Sequence, residues 1–196
     1  VVGAYAFRGT QVSRFSVDDA NPNLSAASNG TYLLSEDGTT LILAAPYRTF
    51  GTVQASELPD VTTISTGAFA GIENLTAVYL PNVTKVGDYA FAGSRVSTVR
   101  LGQLTEVGDY AFYQTAIGDL PDLGQVSSVG NYAFAGTLIT EVTLPDNITV
   151  GDYAFADCDL LSRVSGGNNV TIGASAFRNN AALSQVTLGD NAYLGA

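Results

Sequence analysis

A chain of 196 residues, 46% hydrophobic and 13% charged, is long and apolar enough to bury a sizeable core, which excludes disorder. Its net charge of −10, with Lys85 the one lysine, would repel a phosphate backbone and excludes nucleic acid as a partner. The absence of histidine removes Ser-His-Asp and Cys-His arrangements and imidazole metal sites, and the single cysteine, Cys158, can make neither an internal disulfide nor a Cys-based zinc cluster.

In chain order, the first element is Val2 to Phe7, one copy of a six-residue motif seen most fully at Val86-Gly87-Asp88-Tyr89-Ala90-Phe91. Five or six residues later Val12-x-x-Phe15-x-Val17 alternates apolar and polar residues, the period of a half-buried strand. Residues 18–60 carry no copy of the motif and read as an insertion. It opens on the turn-rich Asp18-Asp19-Ala20-Asn21-Pro22-Asn23. Two β-prone runs, Thr31 to Ser35 and Thr39 to Leu43, then flank Glu36-Asp37-Gly38, a strong hairpin signal. Thr52-Val53-Gln54 resumes the strand rhythm.

From Ile64 onward the motif returns five more times after its first reappearance, with phenylalanines at 69, 91, 112, 134, 155 and 177, at steps of 22, 21, 22, 21 and 22 residues. Each copy is followed by an L-x-x-V-x-L pattern, as in Leu75-x-x-Val78-x-Leu80, Val96-x-x-Val99-x-Leu101, Ile139-x-x-Val142-x-Leu144 and Leu183-x-x-Val186-x-Leu188. The copies at Ile117 and Leu161 end imperfectly, on Asp122 and Gly166. Turns such as Leu80-Pro81-Asn82 then lead into the next motif. A 21-22-residue period with this pattern predicts a leucine-rich repeat solenoid of the α/β class over residues 1–196, mostly parallel β with short helical turns and an inserted β-hairpin unit. The motif's Val, Ala and Phe should point inward, with Gly and Asp making the turn. Beginning at Val1 inside a motif, the chain reads as part of a longer exported protein.

The repeated V-G-D-Y-A-F, the Leu75 to Pro81 stretch and the Asp18 to Asn23 loop followed by Asp37-Gly38-Thr39-Thr40-Leu41-Ile42 resemble the BspA-like (Treponema pallidum type) leucine-rich repeat proteins over essentially the whole chain. A cysteine three places after Ala-Phe is frequent in that family, and Cys158 stands there, with Ser94, Thr115 and Thr137 in the equivalent slots. The resemblance implies a secreted or cell-surface protein used for adhesion to extracellular proteins or for coaggregation; with the catalytic residue types missing, the chain reads as a non-enzymatic module for adhesion or recognition of an extracellular protein or glycan. It carries over no binding residue.

The residues themselves offer little chemistry. Neither Gly-x-Gly-x-x-Gly nor Gly-x-x-x-x-Gly-Lys occurs, no cofactor or metal is implied, and a uniform solenoid offers no pocket to set two carboxylates at a defined separation. Asp88, Asp109 and Asp152, with Asn131, share one slot, which ends in Ala4, Thr66 and Ala174. These read as solvated turn residues, since calcium wants ligands converging on a point. Tyr89, Tyr110, Tyr132 and Tyr153 occupy the next slot, either sealing the coil or stacking against sugars.

The better candidate surface is the outward row of the strands, because leucine-rich solenoids present an extended concave face and Arg and Tyr are enriched at binding hot spots. The candidates are Arg14, Tyr79, Arg100, Glu141, Thr143, Arg163 and Gln185, with Ala77, Asp119 and Pro121 also on the outward positions. Six Asn-x-Ser/Thr sequons, at Asn23, Asn29, Asn74, Asn82, Asn147 and Asn169, are glycosylation sites if the source is a eukaryote. No membrane insertion is expected, since no apolar run nears the roughly 18 residues of a span. The alternative to a recognition module is a spacer or assembly unit that self-associates end to end, burying Ala192 to Ala196.

Overall fold

The computed structural model describes residues 2–3, 5–47 and 49–195; Val1, Ala4, Arg48 and Ala196 lie outside them. Most repeats make one coil with two strand segments and the motif at a corner between them. The motif's first residue lies on two-residue segments, Thr63–Ile64, Lys85–Val86, Glu106–Val107, Ser128–Val129, Thr149–Val150, Thr171–Ile172 and Tyr193–Leu194, which pair in parallel from coil to coil. On another side run the longer strands Gly51–Gln54, Leu75–Leu80 and Thr98–Leu101, then Glu141–Leu144, Arg163–Gly166 and Gln185–Leu188, two parallel sheets of three.

The apolar slots fill the space between. Val86, Ala90, Phe91, Val96 and Leu104 are all fully buried, and the equivalent residues of the neighbouring coils repeat the pattern. The phenylalanines stack at 5.0 to 5.4 Å between centroids from Phe69 to Phe177, nearly parallel throughout. Among the described residues the expected helical turns are confined to two three-residue 3-10 turns, Ser28–Gly30 and Ala55–Glu57. The motif corners are turns instead, closed within the coil (Ala92 N to Tyr89 O, 3.0 Å) and to the next coil (Tyr89 N to Asp109 O, Phe91 N to Ala111 O, both 2.8 Å). Inter-coil bonding at the corners satisfies amides that a helix would otherwise keep for itself.

In the coils of Phe112, Phe134 and Phe155 the slot three places after the phenylalanine holds a small side chain that bonds back to a phenylalanine carbonyl. Thr115 and Thr137 donate their hydroxyls to Phe112 O and Phe134 O at 2.9 and 2.8 Å. Cys158 is fully buried, with Sγ 3.3 Å from Phe134 O, and burial pushes its thiol pKa up. A buried thiol with a raised pKa is a poor nucleophile.

The inserted unit closes the N-terminal end of the long sheet. Leu24–Ala27, Tyr32–Ser35 and Thr40–Ala44 form an antiparallel meander, and Thr40–Ala44 then pairs in parallel with Thr63–Ile64. The hairpin stands where Glu36-Asp37-Gly38 places it. The Asp37 carboxylate accepts from the Ser35 hydroxyl at 2.6 Å and from the Thr39 amide at 3.0 Å, contacts that hold its pKa below the usual carboxylate range.

Two expected strands do not form. Val12 to Val17 pairs with no parallel strand, because its neighbour is the insertion: Phe15 N donates to Gly30 O at 2.7 Å and Val12 O accepts from Tyr47 N at 3.0 Å. The Ile117 to Asp122 stretch is irregular too. Pro121 occupies its outward slot, has no amide to give a ladder, and is buried.

Candidate recognition surface

The motif corners present two ladders, and the geometry defines the use of each. In the acid slot, Asp88 Oδ1 accepts the Asp109 amide at 2.8 Å, Asp109 Oδ1 the Asn131 amide at 2.7 Å, Asn131 Oδ1 the Asp152 amide at 2.8 Å and Asp152 Oδ1 the Ala174 amide at 2.7 Å. One side-chain oxygen per coil is spent on the next coil's backbone, which is why Asn131 serves as well as aspartate. The slot is a staple between coils, with its oxygens strung along the axis rather than converging on an ion.

In the next slot Tyr89, Tyr110, Tyr132 and Tyr153 stack at 4.7 to 4.8 Å with rings within 7° of parallel. Neighbouring rings cover each other's faces, so the stack offers edges and hydroxyls but not the open face a sugar would need. The coil-sealing reading of these tyrosines therefore fits. Burial and the flanking tyrosines raise the Tyr110 phenol pKa. At the N-terminal end the slot holds Gly67, and Tyr5 fills the space: its Cε1 lies 3.2 Å from where a Gly67 Cβ would sit, and its ring meets Tyr89 edge-on at 5.9 Å.

The tyrosines, not the motif glycines, carry the left-handed backbone, with φ of 55° at Tyr89, Tyr110 and Tyr153 and 54° at Tyr132. That conformation costs a residue with a Cβ roughly 1–2 kcal/mol. Replacing Tyr110 by either Gly or Ala removes its stacking equally, so the Gly variant is expected to be about 1 kcal/mol more stable than the Ala variant. Urea unfolding of the two measures the difference; an Ala variant at or above the Gly variant would show that backbone strain is not the governing term.

The outward row of the long strands divides into two patches. In the first, Gln54, Tyr79 and Arg100 stand in register on neighbouring strands, with Tyr79 37% exposed. In the second, Glu141, Arg163 and Gln185 form one row and Thr143, Ser165 and Thr187 the next. Ion pairs run along the rows, Arg100 to Asp119 at 3.7 Å and Arg163 to Glu141 at 4.0 Å, and Ser165 Oγ donates to Thr143 Oγ1 at 3.2 Å. Both pairs are exposed, so they orient the arginines more than they stabilise the fold.

Between the patches the irregular Gly118 to Gly124 stretch leaves a cleft of about 440 Å³, lined by Asp119, Asp122, Glu141 and Thr143 among others. Three positions depart from expectation. Arg14 lies outside any sheet, its stem packed over Gly30. Ala77 and Pro121 are buried rather than outward. Gln54 belongs to the row and was recoverable from the Thr52-Val53-Gln54 rhythm.

All six sequon asparagines are exposed. Asn82 Nδ2 donates to Pro59 O at 2.9 Å, and Asn169 Nδ2 to Asn147 Oδ1 at 3.0 Å, so at these two the nitrogen that would carry a glycan also holds coils together.

A stack of parallel 21-22-residue coils sealed by apolar ladders, with an open polar strand face, is a leucine-rich repeat protein. The BspA type leucine rich repeat region, in six copies, matches residues 47–162 and 105–194. The chain belongs to that family. No curated protein matches the sequence. Among crystal structures of similar fold, the leucine-rich repeat protein of T. pallidum has a TM-score of 0.63 at 19% identity, covering 89% of this chain and 86% of its own. A leucine-rich cell-surface protein from Faecalibacterium prausnitzii matches at 0.56 and 21% identity over 94% of this chain. The pneumococcal vaccine antigen PcpA matches at 0.56 and 17% over 96%. The chain spans 43% and 42% of these last two proteins, and 61% of a Bacteroides ovatus leucine-rich repeat protein matched at 0.52 and 18% identity. Among the described residues no helix is long and apolar enough to cross a membrane.

Proposed function

We propose that the chain is a non-enzymatic recognition module displayed outside the cell, binding an extracellular protein through its strand face. The observation that carries this reading is the register of Tyr79 with Arg100 and Gln54, an exposed aromatic beside a guanidinium on one strand face. Tyr and Arg supply much of the binding energy at protein interfaces, and a rigid sheet holds them without the entropy cost of ordering a loop. The cleft at residues 118–124 breaks the sheet next to this pair and gives a partner a place to enter. The kinship of the fold to a described cell-surface protein and to a vaccine antigen supports the extracellular setting.

An array of extracellular-matrix proteins, probed with the labelled chain, supplies the ligand. Tyr79→Ala combined with Arg100→Ala is then expected to weaken binding at least about tenfold with no change in unfolding, a loss of about 1.4 kcal/mol or more. Undiminished affinity in the double variant would move the site off this patch.

A further inference from the structure

Where the insertion meets the first long strand, a second cleft of about 310 Å³ opens between the Ser28–Gly30 turn, Tyr32, Phe50 and the edge strand Gly51–Gln54. It contains none of the residues of the Tyr79 and Arg100 patch, although Thr52 lies on the strand that carries Gln54. Its floor is Tyr32, 1% exposed, whose hydroxyl donates to Glu57 Oε2 at 2.7 Å. The backbone of Glu57 is fixed as well, its carbonyl accepting from Ser28 Oγ at 3.2 Å, while the buried Thr31 hydroxyl donates to Ser28 O at 2.7 Å. The residue is therefore held through Oε2 and through its backbone carbonyl, with Oε1 taking no hydrogen bond among the described residues.

Around that oxygen the lining is hydroxyl and carboxamide. Thr49, Thr52 and Asn29 line the cleft, and none of their side chains bonds to a described residue. Phe50, half-buried, leans on Tyr32 at 6.0 Å and on Phe69 at 6.3 Å, which fixes its ring beside the opening. The lining offers a fixed anionic acceptor, two hydroxyls, one carboxamide and an aromatic flank, with no cation among the described lining residues.

We propose that this cleft binds a neutral sugar residue. A pyranose presents adjacent hydroxyls, and a carboxylate accepts two such donors in charge-assisted bonds. Threonine hydroxyls and the asparagine amide both donate and accept, matching a ligand whose groups do the same. The apolar C–H face of the ring packs against an aromatic side chain. Acidic sugars are disfavoured, because Glu57 and the net charge of −10 repel them. The volume suits one or two sugar units.

The test is saturation-transfer NMR and calorimetry on the full chain with glucose, galactose, mannose, N-acetylglucosamine, sialic acid and a trilysine peptide. At least one neutral sugar is expected to bind saturably and sialic acid not to. Glu57→Gln keeps an acceptor for the Tyr32 hydroxyl and Thr52→Val keeps the shape of the strand, and each is expected to weaken the sugar about tenfold or more. Thr52→Val leaves the Tyr32 to Glu57 contact intact and so remains informative if Glu57→Gln lowers stability. Arg178→Ala, exposed and on neither surface, is expected to leave sugar binding unchanged. No saturable neutral sugar, sugar affinity unmoved by both variants, or trilysine binding that depends on Glu57 in place of sugar would each overturn the proposal, and none of these bears on the strand-face reading.

Discussion

Phe112→Ala is expected to lower stability by about 3–5 kcal/mol, a large share of the roughly 5–15 kcal/mol that holds a typical domain folded. Phe112 is fully buried and lies between Phe91 and Phe134 at 5.0 and 5.1 Å. Truncation would remove contacts with both neighbours and leave a void that cannot collapse, because the hydrogen-bonded strands on either side hold the coil spacing. Phe177 has its inner face on Phe155 at 5.4 Å but is only partly buried, so Phe177→Ala should cost distinctly less. Thermal melts of the two variants side by side measure the gradient. A Phe112→Ala protein melting within a degree or two of the parent would overturn the assignment of this ladder as the core.

Gly151→Ala is expected to be nearly as damaging although it adds one methyl group. A Cβ there would lie 2.7 Å from the Asn131 nitrogen and 2.7 Å from the Gly130 carbonyl carbon, both backbone atoms of the preceding coil. Overpacking costs typically about 1–3 kcal/mol, and the upper end applies because backbone cannot rotate away as a side chain does. Gly93 makes the comparison. It takes φ of 65° with nothing within 4 Å of its missing Cβ, so Gly93→Ala meets only conformational strain of roughly 1–2 kcal/mol. Urea unfolding should rank Gly151→Ala below Gly93→Ala; the reverse order would show that the coils can separate to admit a methyl group.

These cases show how far the residues speak for themselves. The motif Gly-Asp-Tyr reads as a turn from composition, and a glycine in a turn suggests freedom of φ. The fold assigns the parts differently: glycine admits the preceding coil's backbone, aspartate staples the next coil's, and tyrosine takes the left-handed conformation. Composition cannot separate these roles, because close approach and positive φ both favour glycine.

The candidate surface was legible to a similar degree. Tyr79, Arg100, Glu141, Thr143, Arg163 and Gln185 fall on exposed strand positions as the alternation required. Arg14 does not, because the first coil has the insertion for a neighbour instead of another repeat. The break at Pro121 was foreshadowed by the imperfect copy ending in Asp122, yet the cleft it opens depends on how the chain packs around a missing strand.

By itself the sequence determined the period, the inward slots and the hairpin, since in a solenoid every residue meets its counterpart one coil away and the repeat writes those contacts in one dimension. Only the tertiary structure decided what happens where the repeat lapses. Tyr32 and Glu57 are 25 residues apart, off the period, and meet because the insertion folds back on the first long strand. No periodicity encodes such a contact; it follows from packing one irregular unit against a regular one, and it is there that the second cleft forms.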